Sequence, residues 1–256
     1  MTFAGHDPAG GAGIQAEIET LVSHDCHAVP VNTALTVQDT RDVDGFTVLD
    51  ADAVTAQAGA VLADMPVSAF KTGMLGSAAN ARAILDILQQ HPEIPLVLDP
   101  VLASGNGTRL GDPQLQQAIT TLLVPRATVI TPNSLEARAL APAASNLDDC
   151  AVTLLDLGAE FVLITGTHEA SPHVVNALYQ GDRLLETFTW ERLPHSYHGS
   201  GCTLAASITG MIARGLDPFH AVSEAQEFTW NALQQGYQPG RGQHLPDRLF
   251  WSRADN

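Results

Sequence analysis

Lysine is almost absent from this chain: Lys71 is its single copy among 256 residues, and all basic residues total 12 against 28 acidic ones. The formal net charge of −16 argues against nucleic acid and acidic membrane surfaces as partners, because both are polyanions. Any phosphate bound here must be held locally, by backbone amides, a few arginines or a metal ion. Cysteine is also scarce. Cys26, Cys150 and Cys202 are odd in number and widely spaced, with no C-x-x-C pair, the pattern of reduced thiols in a cytoplasm. No apolar run approaches the ~18 residues of a membrane span. The opening MTFAGHDPAG lacks the basic and apolar regions of a signal peptide. There is no G-x-x-x-x-G-K-[ST] loop, no G-x-G-x-x-G and no G-x-S-x-G elbow, which removes the simplest nucleotide, dinucleotide and hydrolase readings. Internal repeats, low-complexity linkers and composition breaks are missing too, so one domain over 1–256 is expected.

What is present is apolar patterning. Hydrophobic residues make up 45% of the chain and charged ones 16%, too apolar for a disordered polymer. Short runs at Ala28–Val37, Ala69–Lys71, Leu96–Leu98, Thr128–Thr131 and Phe161–Thr165 read as strands. Between them lie helical spacings: Ile14, Ile18, Leu21 and Val22; Ile84, Leu85 and Leu88 behind a Ser77 cap; Leu204, Ile208, Met211 and Ile212. Asp217-Pro218 predicts the start of a last helix running to about Gln235. This alternation predicts an α/β fold, a mainly parallel central sheet with helices on both faces. Val174–Tyr179 and Leu184–Trp190 around Gln180-Gly181-Asp182 predict a small antiparallel hairpin. Only Thr2–Ala4 precede the first glycine turn, which fits a trimmed edge strand or a start codon placed too late.

Four segments can carry chemistry, and each has a plainer reading. Gly5 through Gly13 (GHDPAGGAG) joins a strand to a helix, either as a ligand-approach loop or as a tight turn. His198-Gly199-Ser200-Gly201-Cys202-Thr203 precedes a helix. Its amides would converge at a helix N-terminus, an anion hole whose field should lower the Cys202 thiol pKa and make it a base or nucleophile; the alternative is a buried cysteine beside a glycine turn. Thr131-Pro132-Asn133-Ser134-Leu135-Glu136 can organise a hydrated Mg²⁺ or simply cap a helix. Asp99 before Pro100 is either a turn former or an acid at the ligand-binding end of a strand. His24-Asp25-Cys26-His27 has metal-capable side chains but no partner cluster at ligand spacing.

Together, AGHDPAGGAGIQAE, ALTVQDT, KTGMLGS, VLDPVL, TPNSLEA and HGSGCT occur in the order typical of the hydroxymethylpyrimidine/phosphomethylpyrimidine kinases. The chain resembles that family over about residues 4–235. The resemblance implies a ribokinase-like fold and a homodimer. It implies ATP-dependent phosphorylation of 4-amino-5-hydroxymethyl-2-methylpyrimidine and of its monophosphate, in thiamine biosynthesis. By the same resemblance Cys202 is the catalytic base, and Gly199, Ser200 and Gly201 form the anion hole. Asn133, Glu136, Asp99 and Thr165 meet the nucleotide, with Glu136 and Asp99 toward Mg²⁺. Gly5, Glu17, Gln38 and Met74 meet the pyrimidine. A pyridoxine or pyridoxal kinase, or a weakly active pyrimidine- or nucleotide-binding homologue, are the alternatives. The chain departs from the family pattern in three places. Glu17 stands where Asp is usual, Thr165-Gly166-Thr167-His168 where KGGH is usual, and Tyr197 where Asn-Thr is commoner. Arg109 is a candidate for the cation that the second change removes.

Overall fold

The structure, a computed structural model, describes residues 1–105 and 107–252. Alternating apolar strands are the framework. β1 (Thr2–His6), β4 (Phe70–Thr72), β5 (Leu96–Leu98), β6 (Val129–Ile130) and β7 (Phe161–Ile164) pair in parallel, and β2 (Pro30–Gln38) adds to them beside β1. Two-residue periodicity decides which side chain serves which face. Leu96, Leu98, Ile130, Val162 and Ile164 enter one core, while Val97, Val129, Phe161 and Leu163 enter the other.

The first core is covered by α2 (Ala51–Leu62), α3 (Ala78–Gln90), the short α4 (Leu115–Ala118), α5 (Ser134–Leu140) and α6 (Leu147–Asp156). On the other side lie α1 (Gly13–Ser23), α7 (Ser200–Ala213) and α8 (Pro218–Gln234), with α7 and α8 supplying Leu204, Ala205, Ile208, Ala221, Val222 and Ala225. The predicted caps form: the Asn80 amide donates to Ser77 at 3.1 Å, and the His220 amide donates to Asp217 at 3.2 Å.

The sheet has nine strands in the order β3-β2-β1-β4-β5-β6-β7-β8-β9. The predicted hairpin is β8 (His173–Gln180) with β9 (Arg183–Glu191), antiparallel to β7 and to each other. A second antiparallel element, β3 (Val43–Val48) on β2, was not expected from the sequence. Its Asp44 and Gly45 break the apolar alternation by which a strand is recognised. β1 is not an edge strand: it lies between β2 and β4, inside the sheet.

His24 packs its ring against Phe228 with centroids 4.5 Å apart, and its Nε2 lies 2.7 Å from Ser207 Oγ. The His24–His27 segment is a helix-to-strand junction in which His24 is buried while Asp25 and His27 are exposed. Among the described residues no group of three or more His, Cys, Asp or Glu is placed to hold a metal ion. No helix of the described residues is long and apolar enough to cross a membrane.

Candidate active site

The carboxyl ends of β1, β5, β6 and β7 open into a cavity of about 600 Å³, where ligands of open α/β sheets bind. Gly5, Asp99, Asn133, Glu136, Thr165, Gln38, Met74 and the stretch Gly199–Cys202 all line it. The structure therefore gathers eleven of the twelve site residues expected from the sequence.

Helix α7 begins at Ser200, earlier than the Leu204 periodicity suggests, so Cys202 lies within its first turn. The Thr203 amide is the first to find its intrahelical partner, the Gly199 carbonyl at 2.9 Å. The amides before it belong to the end that carries the positive pole of the helix dipole. Gly199 has φ +85, and a Cβ there would run into the Gly11 carbonyl oxygen; only glycine lets the two loops touch. Arg248 fastens the same junction. Its Nε donates to Thr203 Oγ1 at 2.9 Å, Nη1 to Glu19 at 3.0 Å, and Nη2 to the Gly11 carbonyl.

The Cys202 thiol is half-buried at the cavity wall. Its acidity runs opposite to the sequence-based expectation. Burial pushes it up to about 11; Lys71 and the Gly13 amide pull it down, while Asp99 and Glu17 push it further up. Desolvation is the largest cause and the two carboxylates add to it, so the thiol is held protonated.

Behind that wall lies an ion cluster. Lys71 Nζ, fully buried, donates to Glu17 Oε1 at 2.6 Å and Asp99 Oδ2 at 3.5 Å. Burial alone would lower the Lys71 ammonium, but Glu17 and Asp99 hold it protonated well above its ordinary range. Burial raises Asp99, Lys71 offsets part of the rise, and Glu17 adds to it. Glu17 thus corrects the sequence reading, which set it against the pyrimidine. It shares the buried face of α1 with Ile14 and Leu21 and does not line the cavity. Its role is counter-ion to Lys71.

Across the floor, Asn133 caps α5 by accepting from the Leu135 and Glu136 amides, each at 2.9 Å, and Glu136 Oε2 accepts from the Asn133 amide at 2.9 Å. The plain capping reading therefore holds, with the same side chains on the cavity wall. Burial, then the charge of Asp99, push Glu136 up to about 8. Two carboxylates that disfavour each other's ionisation fit a divalent cation, which would take its remaining ligands from phosphate and water.

Arg109 is exposed and does not line the cavity, so it does not replace the missing lysine. The arginine at the wall is Arg192, whose guanidinium donates to the carbonyls of Ser171, Thr167 and Glu169 at 2.8–3.0 Å. Sequence reasoning also passed over Asp7 and His198, although both stand inside quoted motifs. Asp7 accepts from the amides of Ala9, Gly11 and Ala12 at 2.8–3.0 Å and faces His198 Nε2 at 3.0 Å. On the same side Gly5 lets Met74 lie close, since a Cβ there would come within 2.9 Å of its sulfur.

This geometry has relatives. Residues 7–247 match the family model described as phosphomethylpyrimidine kinase. The chain is 37% identical over 250 residues to the hydroxymethylpyrimidine/phosphomethylpyrimidine kinase of Synechococcus elongatus, covering 95% of this chain and 94% of that protein. It is 36% identical over 250 residues to the protein of the same description from Streptomyces coelicolor, with 94% and 91% covered. Among solved structures, an ADP complex of Bacillus subtilis pyridoxal kinase superposes with TM-score 0.87 at 28% identity, covering 98% of this chain and 97% of that one. A phosphomethylpyrimidine kinase from Clostridium difficile superposes with TM-score 0.79 at 32% identity, covering 91% and 97%. With the thiol, glycine turn and strand-end acids gathered at one cavity and the similarity running through nearly the whole chain, this protein belongs to the phosphomethylpyrimidine kinase family, with a ribokinase-like α/β fold.

Proposed function

We propose that this chain, acting as a single kinase domain, transfers the terminal phosphoryl group of ATP to the hydroxymethyl oxygen of 4-amino-5-hydroxymethyl-2-methylpyrimidine, and then phosphorylates the monophosphate. The observation that carries this reading is the position of Cys202. It lies on a helix N-terminal turn at the cavity wall, with Gln38, Met74 and Gly5 lining the same cavity. Phosphoryl transfer needs positioning and charge neutralisation more than covalent chemistry. The Gly199–Cys202 turn offers amides and a helix dipole to the migrating group, and Cys202 stands ready to take the alcohol proton once ionised. Asp99 and Glu136 would hold Mg²⁺, which supplies charge neutralisation to the phosphates and offsets the carboxylate that keeps the thiol protonated. Gln38 offers an amide and Met74 an apolar surface to a flat neutral ring.

The test is product mass after incubation with the pyrimidine alcohol, ATP and Mg²⁺, which distinguishes mono- from diphosphate. Cys202→Ala is expected to lower kcat by ~10²–10⁴, the range for losing a general base. A fall of less than threefold rejects the base role, and no phosphorylated product rejects the substrate. Pyridoxal is the second reading, favoured by the high structural similarity to pyridoxal kinases; competition between the two alcohols at equal concentration decides. The same reading includes a cytoplasmic homodimer contacting through the hairpin, where Val175 and Leu184 are exposed; sizing chromatography tests the dimer.

A further inference from the structure

Gln38 meets a neighbour that restricts how its amide can point. Its amide nitrogen is placed 3.0 Å from His198 Nε2, and the same ring nitrogen lies 3.0 Å from Asp7 Oδ2. Asp7 is buried and held ionised: burial would raise it, but the hydrogen bond from His198 and the amides of Ala12 and Ala9 hold it below its ordinary value. An ionised carboxylate only accepts, so His198 Nε2 must carry its proton toward Asp7. That leaves no lone pair on Nε2 for Gln38. An amide NH₂ facing Nε2 would set two donors against each other. A half-turn of the amide, which exchanges two ends of nearly the same shape, removes the conflict: the Gln38 carbonyl oxygen then faces Nε2 and shares its proton, and the NH₂ turns to the cavity.

Resting on the pyrimidine reading above, we propose that Asp7 and His198 are positioning residues that fix the Gln38 amide with its NH₂ toward the substrate, so that the site selects a ring bearing a hydrogen-bond acceptor there. An aminopyrimidine satisfies this through a ring nitrogen. A ring with C–H at that place shuts the part-buried NH₂ off from water without giving it a partner, which is the costly case for a polar group.

The experiment compares kcat/KM for the pyrimidine alcohol with that for two analogues, each with one ring nitrogen replaced by C–H. In the unmodified enzyme one analogue is expected to lose about 10- to 100-fold, the cost of one buried unpaired donor. In His198→Phe that ratio is expected to shrink to within about threefold, because the amide is free to turn. Gln38→Glu retains only acceptors and is expected to collapse the ratio as well; were the carbonyl oxygen toward the substrate, this variant would keep it. A purely structural role for the Asp7–His198 pair would lower activity on all three rings alike. The proposal is overturned if the unmodified enzyme phosphorylates all three rings equally, or if both variants keep the original ratio. Absence of turnover on the pyrimidine alcohol by the unmodified enzyme overturns the substrate reading and this proposal with it.

Discussion

His24 shows how a single side chain ties stability to acidity. Burial and the nearby Arg214 lower its pKa to about 4, against an ordinary 6.5. The fold therefore holds a neutral imidazole, while the unfolded chain takes up a proton below about 6.5. The resulting stabilisation is present above that pH and is lost as pH falls toward 4. It is worth roughly 3 kcal/mol by linkage. Thermal melts of His24→Gln, which keeps a polar group toward Ser207 without titrating in this window, are expected to flatten the pH dependence between 6.5 and 4. An unchanged slope would remove His24 as its source. At this scale the sequence was half legible. Cys202 could be found because its glycine neighbours are local. The direction of its pKa could not, because Lys71, Asp99 and Glu17 come from distant segments and only folding brings their charges to the thiol. Glu17 was misassigned for the same reason, its partner standing 54 positions away.

Among elements, the junction of the glycine turn with α7 depends on one arginine. Arg248 is 2% exposed and joins α1 through Glu19, the turn through Gly11 and α7 through Thr203. Replacing it by methionine leaves several acceptors unpaired and is expected to cost roughly 2–4 kcal/mol in urea unfolding; a loss under 0.5 kcal/mol would mean that water replaces it freely. Helices with a strong apolar stripe or a cap were legible, as Ser77 and Asp217 illustrate. α2 was not: of its 12 residues only Val54 and Ala58 are buried, too narrow a stripe to stand out among alanines. β3 was hidden by Asp44 and Gly45. Arg248 was invisible because its contacts to Glu19 and Gly11 span more than 200 positions and that to Thr203 spans 45, and no local pattern marks a clamp of that kind.

For the molecule as a whole, the topological rule worked well: acids and glycines at strand ends mapped onto one cavity because parallel strands all end on the same side. The net charge of −16 acts over the same range. An anionic nucleotide approaches a like-charged body, so modest salt should help association rather than hinder it. From low to physiological ionic strength, kcat/KM for ATP is expected to rise about two- to fivefold, while that for the neutral alcohol stays flat. A fall for ATP would mean that a local cationic patch dominates. The interior placement of Lys71 has a consequence in bioconjugation. With Nζ fully enclosed, the folded chain offers succinimidyl esters no lysine to acylate, and the label should enter Lys71 only as denaturant opens the sheet. The chain thus contains an intrinsic chemical reporter of its own unfolding, readable by peptide mass mapping.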